Sequence, residues 1–350
     1  MLYCRMEFVK LYKKSYLGMS VTMVIQPLLL GLVFSVTSAQ LQWKFQIVDN
    51  GTTPEPRRDA AVGYDTFGQQ LVLFGGRSAA TFGDTWIYNI TSHSWREVLT
   101  QSGPSPRFSM VYGTSGNYFY VATGEESGLK RIYYNDIWRF SFRSENWEKL
   151  PAQSRPQHIS SSDWNKSLDL QLEPRSRFGA TGGIYPGSSK FYVNQGFSDQ
   201  HYFDTFTYDV TSQGWNLKYC PLGECTPYDP RYPHARSFHA GTMVDSDILL
   251  IFGGCLTGGG SGGPCPSGDS WIFDGKTLEW VRIQGCPVPR TYGSMAVLPV
   301  VSEKKRVVMY GGMEDGPQVI RTSTSFKDTV SIFDVVTQTW RVLKTDSDVR

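Results

Sequence analysis

A chain of 350 residues with 40% apolar content and 35 glycines can bury a large core and is too apolar to be disordered. Its net charge of +2, with no basic run beyond the N-terminus, excludes a nucleic-acid binder held by a basic face. One large domain is expected in preference to two, since all-β domains reach this length.

Residues 1–16 carry Arg5, Lys10, Lys13 and Lys14, and residues 17–36 are mostly apolar. Thr37, Ser38 and Ala39 follow, small residues where a signal peptidase reads. Residues 1–39 are therefore expected to be a secretory signal peptide, or a signal-anchor that stays in the membrane. Gln26 and Pro27 weaken a spanning helix and favour cleavage after Ala39. Either reading sends residues 40–350 to the lumen or the outside, attached to a membrane only through the N-terminal segment. Three glycosylation sequons fit that route, at Asn50, Asn89 and Asn165, with Asn89 in a tight turn between strands.

Leu41–Val48 alternates in character and reads as one strand. Five repeats follow. The first runs from Arg58 through Leu71-Val-Leu-Phe-Gly-Gly and Asp84-Thr-Trp to Trp95, and the second from Arg107 through Phe119 and Asp136-Ile-Trp to Trp147. The third runs from Arg177 to Trp215, the fourth from Arg236 to Trp280 and the fifth from Arg290 to Trp340. The fourth is the clearest. Leu249–Phe252 is continuously apolar, as a strand buried on both faces should be, and Gly253-Gly254 ends it. Trp271, Phe273 and Trp280 alternate with polar residues, as outer strands do. Thr123 and Gln195 replace the first glycine in repeats two and three, which predicts local bends. In repeat five, Val330 or Ser331 stands where the third-strand tryptophan should be. Six tryptophans (43, 95, 147, 215, 280, 340) fall on fourth strands and three (86, 138, 271) on third strands, so they read as core between blades.

The order Arg, Gly-Gly, Asp-x-Trp, Trp resembles the kelch repeat. That resemblance implies an all-β propeller of five complete four-stranded blades plus a lone N-terminal outer strand, a six-bladed ring that is C-terminally incomplete over residues 40–350. An unpaired edge and an apolar inter-blade face are then expected where the ring is open. Kelch propellers include scaffolds and enzymes, so the fold leaves function open.

In an up-and-down blade, the connections between strands two and three and between one blade and the next emerge on the same face. These are the long ones here, so function is expected on that face. One arginine begins each repeat, Arg58, Arg107, Arg177, Arg236 and Arg290, and five guanidiniums near an axis suit an anionic ligand. Since the arginine belongs to the repeat, it also reads as a tie between backbone segments. Glu125, Tyr134, Tyr202 and Tyr228 populate the same loops and suit a protein or glycan ligand. Cys220, Cys225, Cys255, Cys265 and Cys286 all lie on or beside blade four. They read as disulfides stiffening long loops, with Cys220–Cys225 and Cys255–Cys265 the shortest closures and Cys265–Cys286 an alternative. Neither a metal nor another cofactor is expected, since no Cys-x-x-Cys pair or histidine cluster occurs. Gly258-Gly-Gly-Ser-Gly-Gly263 satisfies two glycine motifs by composition alone, without a strand-turn-helix context.

These readings lead to an exported binding protein for a protein or glycan. The alternative is a carbohydrate-active kelch enzyme, resembling galactose oxidase or the sialic-acid epimerases. The copper enzyme's histidine-tyrosine pattern is not matched at His93 or His201.

Overall fold

Every one of the five repeats folds into four antiparallel strands, ordered from the propeller axis outward in chain order. The computed structural model describes residues 5–9, 18–25, 41–48, 52–65, 67–152, 173–219, 231–256, 264–301, 304–313 and 330–343. Blade one comprises Ala61–Asp65, Gln70–Phe74, Thr85–Asn89 and Ser94–Val98. Blade two comprises Val111–Ser115, Tyr118–Ala122, Ile137–Ser141 and Trp147–Lys149. Blade three comprises Thr181–Ile184, Lys190–Asn194, Thr205–Asp209 and Gly214–Tyr219. Blade four comprises Ala240–Met243, Ile248–Phe252, Ser270–Asp274 and Glu279–Ile283. Blade five comprises Ser294–Val301, Lys304–Tyr310, Val330–Asp334 and Thr339–Leu343.

Second strands are the most buried, as their unbroken apolar runs require. Phe74, Phe119, Phe191 and Phe252 are wholly enclosed. Each fourth-strand tryptophan pairs in register with a third-strand aromatic of its own blade: Tyr88↔Trp95, Phe140↔Trp147, Tyr208↔Trp215, Phe273↔Trp280 and Phe333↔Trp340. The indole also reaches back to the preceding blade. Trp147 lies 5.0 Å from Phe74 and donates to the Thr85 hydroxyl at 2.9 Å. Trp340 lies 5.7 Å from Phe252 and donates to the Ser270 hydroxyl at 3.2 Å. These indoles are inter-blade core, as the repeat spacing implies.

Two series of backbone hydrogen bonds stitch neighbouring blades near the axis. In one, Ser109, Gly179, Phe238 and Tyr292 donate their N–H groups to the carbonyls of Asp59, Ser109, Gly179 and Phe238. In the other, Gly76, Gly124, Gly196 and Gly254 donate to the carbonyls of Arg107, Arg177, Arg236 and Arg290. The second glycine of each pair permits this approach. Gly254 has φ +90°, and a Cβ there would lie 2.8 Å from the Ser237 carbonyl oxygen. Thr123 and Gln195 correct one expectation. They sit at φ 64° and 55°, beside 67° for Gly75 and 71° for Gly253, so the backbone is not bent but held in the same left-handed conformation against the preference of the side chain.

Neither series has a fifth link from blade five to blade one among the described residues. Yet both end faces are buried. Leu71, Leu73, Tyr88 and Trp95 form one cluster on blade one, and Leu298, Val308, Val330 and Ile332 form a separate one on blade five. Most of the apolar face expected to be exposed at the opening is therefore buried on both blades, with Ala296, Tyr310 and Leu343 partly so. Leu41–Val48 is a strand as expected, but it is not lone. It pairs antiparallel with Gly18–Ile25, which pairs with Arg5–Val9, in a three-stranded sheet. Backbone groups of an isolated strand would be left unpaired, and this sheet satisfies them. Among the described residues, no helix is long and apolar enough to cross a membrane. In blade five the register places Ser331, not Val330, at the tryptophan position, since Ser331 pairs with Met309 as Trp271 pairs with Ile251.

Gly254→Ala should destabilise the chain by about 1–3 kcal/mol, because it forces a Cβ into a left-handed, crowded position. Thr123→Gly should stabilise it by about 1 kcal/mol, since it relieves the φ strain and deletes a buried hydroxyl that lacks a hydrogen bond among the described residues. Urea unfolding of each variant against the parent measures both shifts.

Candidate functional site

The propeller's two faces differ in construction. On one face, tight turns join strands three and four. There the Oδ1 of Asn89, Asp209, Asp274 and Asp334 each accepts two backbone N–H bonds from two and three residues ahead. The other face carries the long connections, and the arginines enter from it.

Arg107, Arg177 and Arg236 are fully buried, and Arg290 nearly so. Each guanidinium is committed inside its own blade. Arg107 donates from Nε to the Ser105 carbonyl at 3.0 Å and from Nη1 to the Thr123 carbonyl at 3.2 Å, and it reaches Asp136 at 2.6 Å. Arg236 repeats the pattern with His234, Gly253 and Asp269, the last at 2.6 and 2.9 Å. Arg177 does so with Arg175, Gln195 and Asp204. Arg290 donates to the carbonyls of Val288 and Gly311. Asp84, Asp136 and Asp269 also accept from the indoles of Trp86, Trp138 and Trp271 at 2.6–2.8 Å. The Asp-x-Trp signature is thus the receiving half of the arginine's pair.

In blade one this place belongs to Arg57, not Arg58. Arg57 donates to the carbonyls of Glu55 and Gly75 and to both carboxylate oxygens of Asp84, while Arg58 is exposed. The register correction was available in the sequence. A proline stands three residues before each structural arginine, at Pro54, Pro104, Pro174, Pro233 and Pro287, and all five prolines are buried.

Tyr134 and Tyr202 are placed by the same device. Their rings lie over the guanidiniums of Arg107 and Arg177, at 3.9 and 4.1 Å, as Phe82 lies over Arg57 at 4.0 Å. Glu125 is buried and ion-paired with Arg131 at 3.4 Å. Tyr228, Cys220, Cys225, Asn50 and Asn165 lie outside the described residues. Asn89 is exposed in a tight turn on the face opposite the long connections. Cys255 and Cys265 form a disulfide, whereas Cys286 is a free thiol 3.4 Å from the Ile283 carbonyl. The alternative closure Cys265–Cys286 is therefore not formed. Burial, with the charge of Asp269, pushes the Cys286 thiol pKa up.

At the long-loop mouth of the axis, the rings of Tyr133, Phe178, Phe238 and Tyr292 pack in sequence at 5.5, 5.4 and 4.4 Å. Burial, reinforced by Asp59, raises the Tyr292 hydroxyl to about 12. Arg77 stacks 3.9 Å over Phe108 and pairs with Asp59 at 3.0 Å. Tyr133 is legible in the sequence as a loop aromatic suited to sugar or peptide contact, whereas Phe178, Phe238 and Tyr292 are not, because they occupy repeat positions at which blades differ. Behind the mouth, the inner strands enclose a cavity of about 400 Å³ whose lining includes Tyr64, Tyr112, Thr242 and His239. His239 meets the Asn194 amide oxygen through Nε2 at 3.2 Å. Burial, followed by the nearby Arg236, lowers its pKa well below 6.5, so the ring is neutral.

The family model described as the KLHDC2/KLHL20/DRC7 Kelch-repeats domain matches residues 30–217 and 157–350. The chain belongs to the kelch-repeat family. Host cell factor of Drosophila melanogaster is 23% identical over 331 residues, which cover 87% of this chain and 20% of that protein. Human Kelch domain-containing protein 10 is 22% identical over 302 residues, 82% of this chain and 60% of the relative. Bovine Kelch domain-containing protein 2 is 21% identical over 288 residues, 65% of this chain and 67% of the relative. The chain thus spans a fifth of the first relative and three fifths of the second. At the coarse level, kelch propellers of this kind point to protein interaction.

The kelch Arg–Asp pairs make stability depend on acid. Burial alone would raise the carboxyls of Asp84, Asp136 and Asp269, but the paired arginines and indoles outweigh it and hold all three below their ordinary 3.8. Their contribution is complete above about pH 4 and is lost as pH falls through the lower folded values. Asp269→Asn should cut stability at neutral pH by about 3–5 kcal/mol, since Arg236 keeps its burial and loses its counter-charge. It should also flatten the acid limb of the stability profile, as read by denaturant unfolding between neutral and strongly acid pH. Arg58→Ala should leave stability unchanged within about 0.5 kcal/mol.

Proposed function

We propose that this kelch propeller is an exported interaction protein that binds a protein partner on its long-loop face. The observation that carries the binding reading is the division of labour between arginines. The repeat's own guanidiniums are spent inside the blades, on aspartates in blades one to four and on carbonyls in blade five, while the variable connections supply exposed Arg58, Lys130 and Leu129 on one face. The opposite face consists of turns closed on their own side chains.

Export is supported by the apolar stretch at 17–36, by the Cys255–Cys265 disulfide within a long connection, and by the exposed Asn89 sequon. A glycan on Asn89 would stand on the short-turn face and leave the long-loop face free. Cleavage after Ala39 would remove Arg5–Val9 and Gly18–Ile25 and keep Leu41–Val48.

Both parts are open to test in a eukaryotic secretion host. Mass spectrometry of chain recovered from the medium should find an N-terminus at Gln40 and a glycan on Asn89. Retention of the intact chain in the cytosol would overturn export. Photo-cross-linking residues at Val288 and Leu129 on the long-loop face should capture protein, whereas those at Phe67 and Leu278 on the short turns should not. Capture from the short turns alone would overturn the binding face.

A further inference from the structure

The second-to-third connection of blade two is itself a small hairpin. Glu125–Glu126 pairs antiparallel with Ile132–Tyr133, with Glu125 opposite Tyr133 and Glu126 opposite Ile132. Its tip, residues 127–131, reads Ser-Gly-Leu-Lys-Arg. Leu129 is fully exposed there, and Ile132 is 45% exposed. A single exposed leucine on a surface calls for no account. This one stands at the end of an element fastened from several sides. The Thr81 hydroxyl of blade one accepts from the Ser127 N–H at 3.1 Å and lies 3.4 Å from the Ser127 carbonyl. Tyr133 stacks on Phe178 with its ring nearly parallel, and Tyr134 donates its hydroxyl to Glu126. Such an element holds its tip in one arrangement before any partner arrives, which reduces the ordering cost of binding.

The charges around the tip are unbalanced. The carboxylates packed against the hairpin are already engaged: Glu125 with Arg131 and Ser127, Glu126 with Tyr134, and Asp59 with Arg77. Arg58 and Lys130 are exposed and have no ion pair among the described residues. Arg58 is joined to this group through backbone bonds to Arg77, whose guanidinium covers Phe108, and Phe108 in turn bridges Glu125. The rim of blades one and two therefore presents two exposed cations, Arg58 and Lys130, beside an apolar point.

We propose that this rim docks a protein segment in which one apolar side chain is flanked by carboxylates. The apolar side chain packs on Leu129 and Ile132, and the carboxylates meet Lys130 and Arg58. The proposal rests on the reading that the long-loop face binds protein, and it locates the contact on blades one and two.

The test pans a phage-displayed library of random dodecapeptides against the immobilised full chain. Recovered peptides should carry an apolar residue flanked by Asp or Glu. Leu129→Asp and Lys130→Glu should each weaken them by about tenfold or more, and added salt should weaken them further. Val288→Asp, elsewhere on the same face, and Phe67→Asp, on the short turns, should leave binding intact. Peptides weakened by Val288→Asp and indifferent to Leu129→Asp would overturn this inference while the long-loop reading stands. Peptides weakened only by Phe67→Asp would overturn both. Recovery of no peptide above the bare support would overturn the docking rim.

Discussion

A charged pair with a buried guanidinium organises each of blades one to four. Arg57, Arg107, Arg177 and Arg236 enter the long-loop end of a blade and close on Asp84, Asp136, Asp204 and Asp269. Unpaired, either partner would be costly to bury; together, the arginines' remaining donors go to carbonyls, and Asp84, Asp136 and Asp269 also accept an indole N–H. The pair ties the start of the first strand to the end of the second and the start of the third. It thereby fixes where the left-handed turn must fall, and that turn aims the glycine N–H at the next blade. Remove the pair and the turn, the inter-blade bond and the axis lining lose their common support. An ion pair here specifies geometry as much as it stabilises.

Much of this was legible in the chain because it repeats. Five occurrences of the same apolar run, glycine turn and tryptophan place twenty strands with little error. The aromatic register Trp95 on Tyr88, or Trp280 on Phe273, follows from the alternation alone. The misreadings have a physical pattern. Arg58 and Arg57 are equivalent by type, so the repeat pattern alone does not separate them. They are distinguished by what lies three residues earlier, a buried proline. Thr123 and Gln195 were expected to bend the strand, yet the surrounding hydrogen bonds impose the glycine conformation on side chains that resist it. Leu41–Val48 was expected to stand alone because no propeller strand preceded it, and residues with no repeat signature supply its neighbours.

The candidate site was less legible for a related reason. A repeat announces what all blades share, and what they share is structural. The residues that differ from blade to blade are the ones left for recognition. At the position after the structural arginine the chain has Arg58, Phe108, Phe178, Ser237 and Thr291. One of these is an exposed cation, two are buried aromatics, and two are small hydroxyl residues. Tyr134 and Tyr202 looked like ligand contacts because they are tyrosines in loops, but they are lids on buried guanidiniums. Only the fold distinguishes a loop aromatic that covers from one that waits.

The direction in which the indoles lean has a consequence for how the molecule is made. Trp147 completes its packing on blade one, and Trp340 completes its packing on blade four; each reaches toward residues synthesised earlier. A ribosome delivers the chain N-terminus first. Each new blade therefore meets a finished surface at the moment its last strand emerges, and it need not wait for downstream sequence to bury its largest side chain. Assembly can proceed like the laying of roof tiles, each course resting on the one before, with only the newest edge bare at any time.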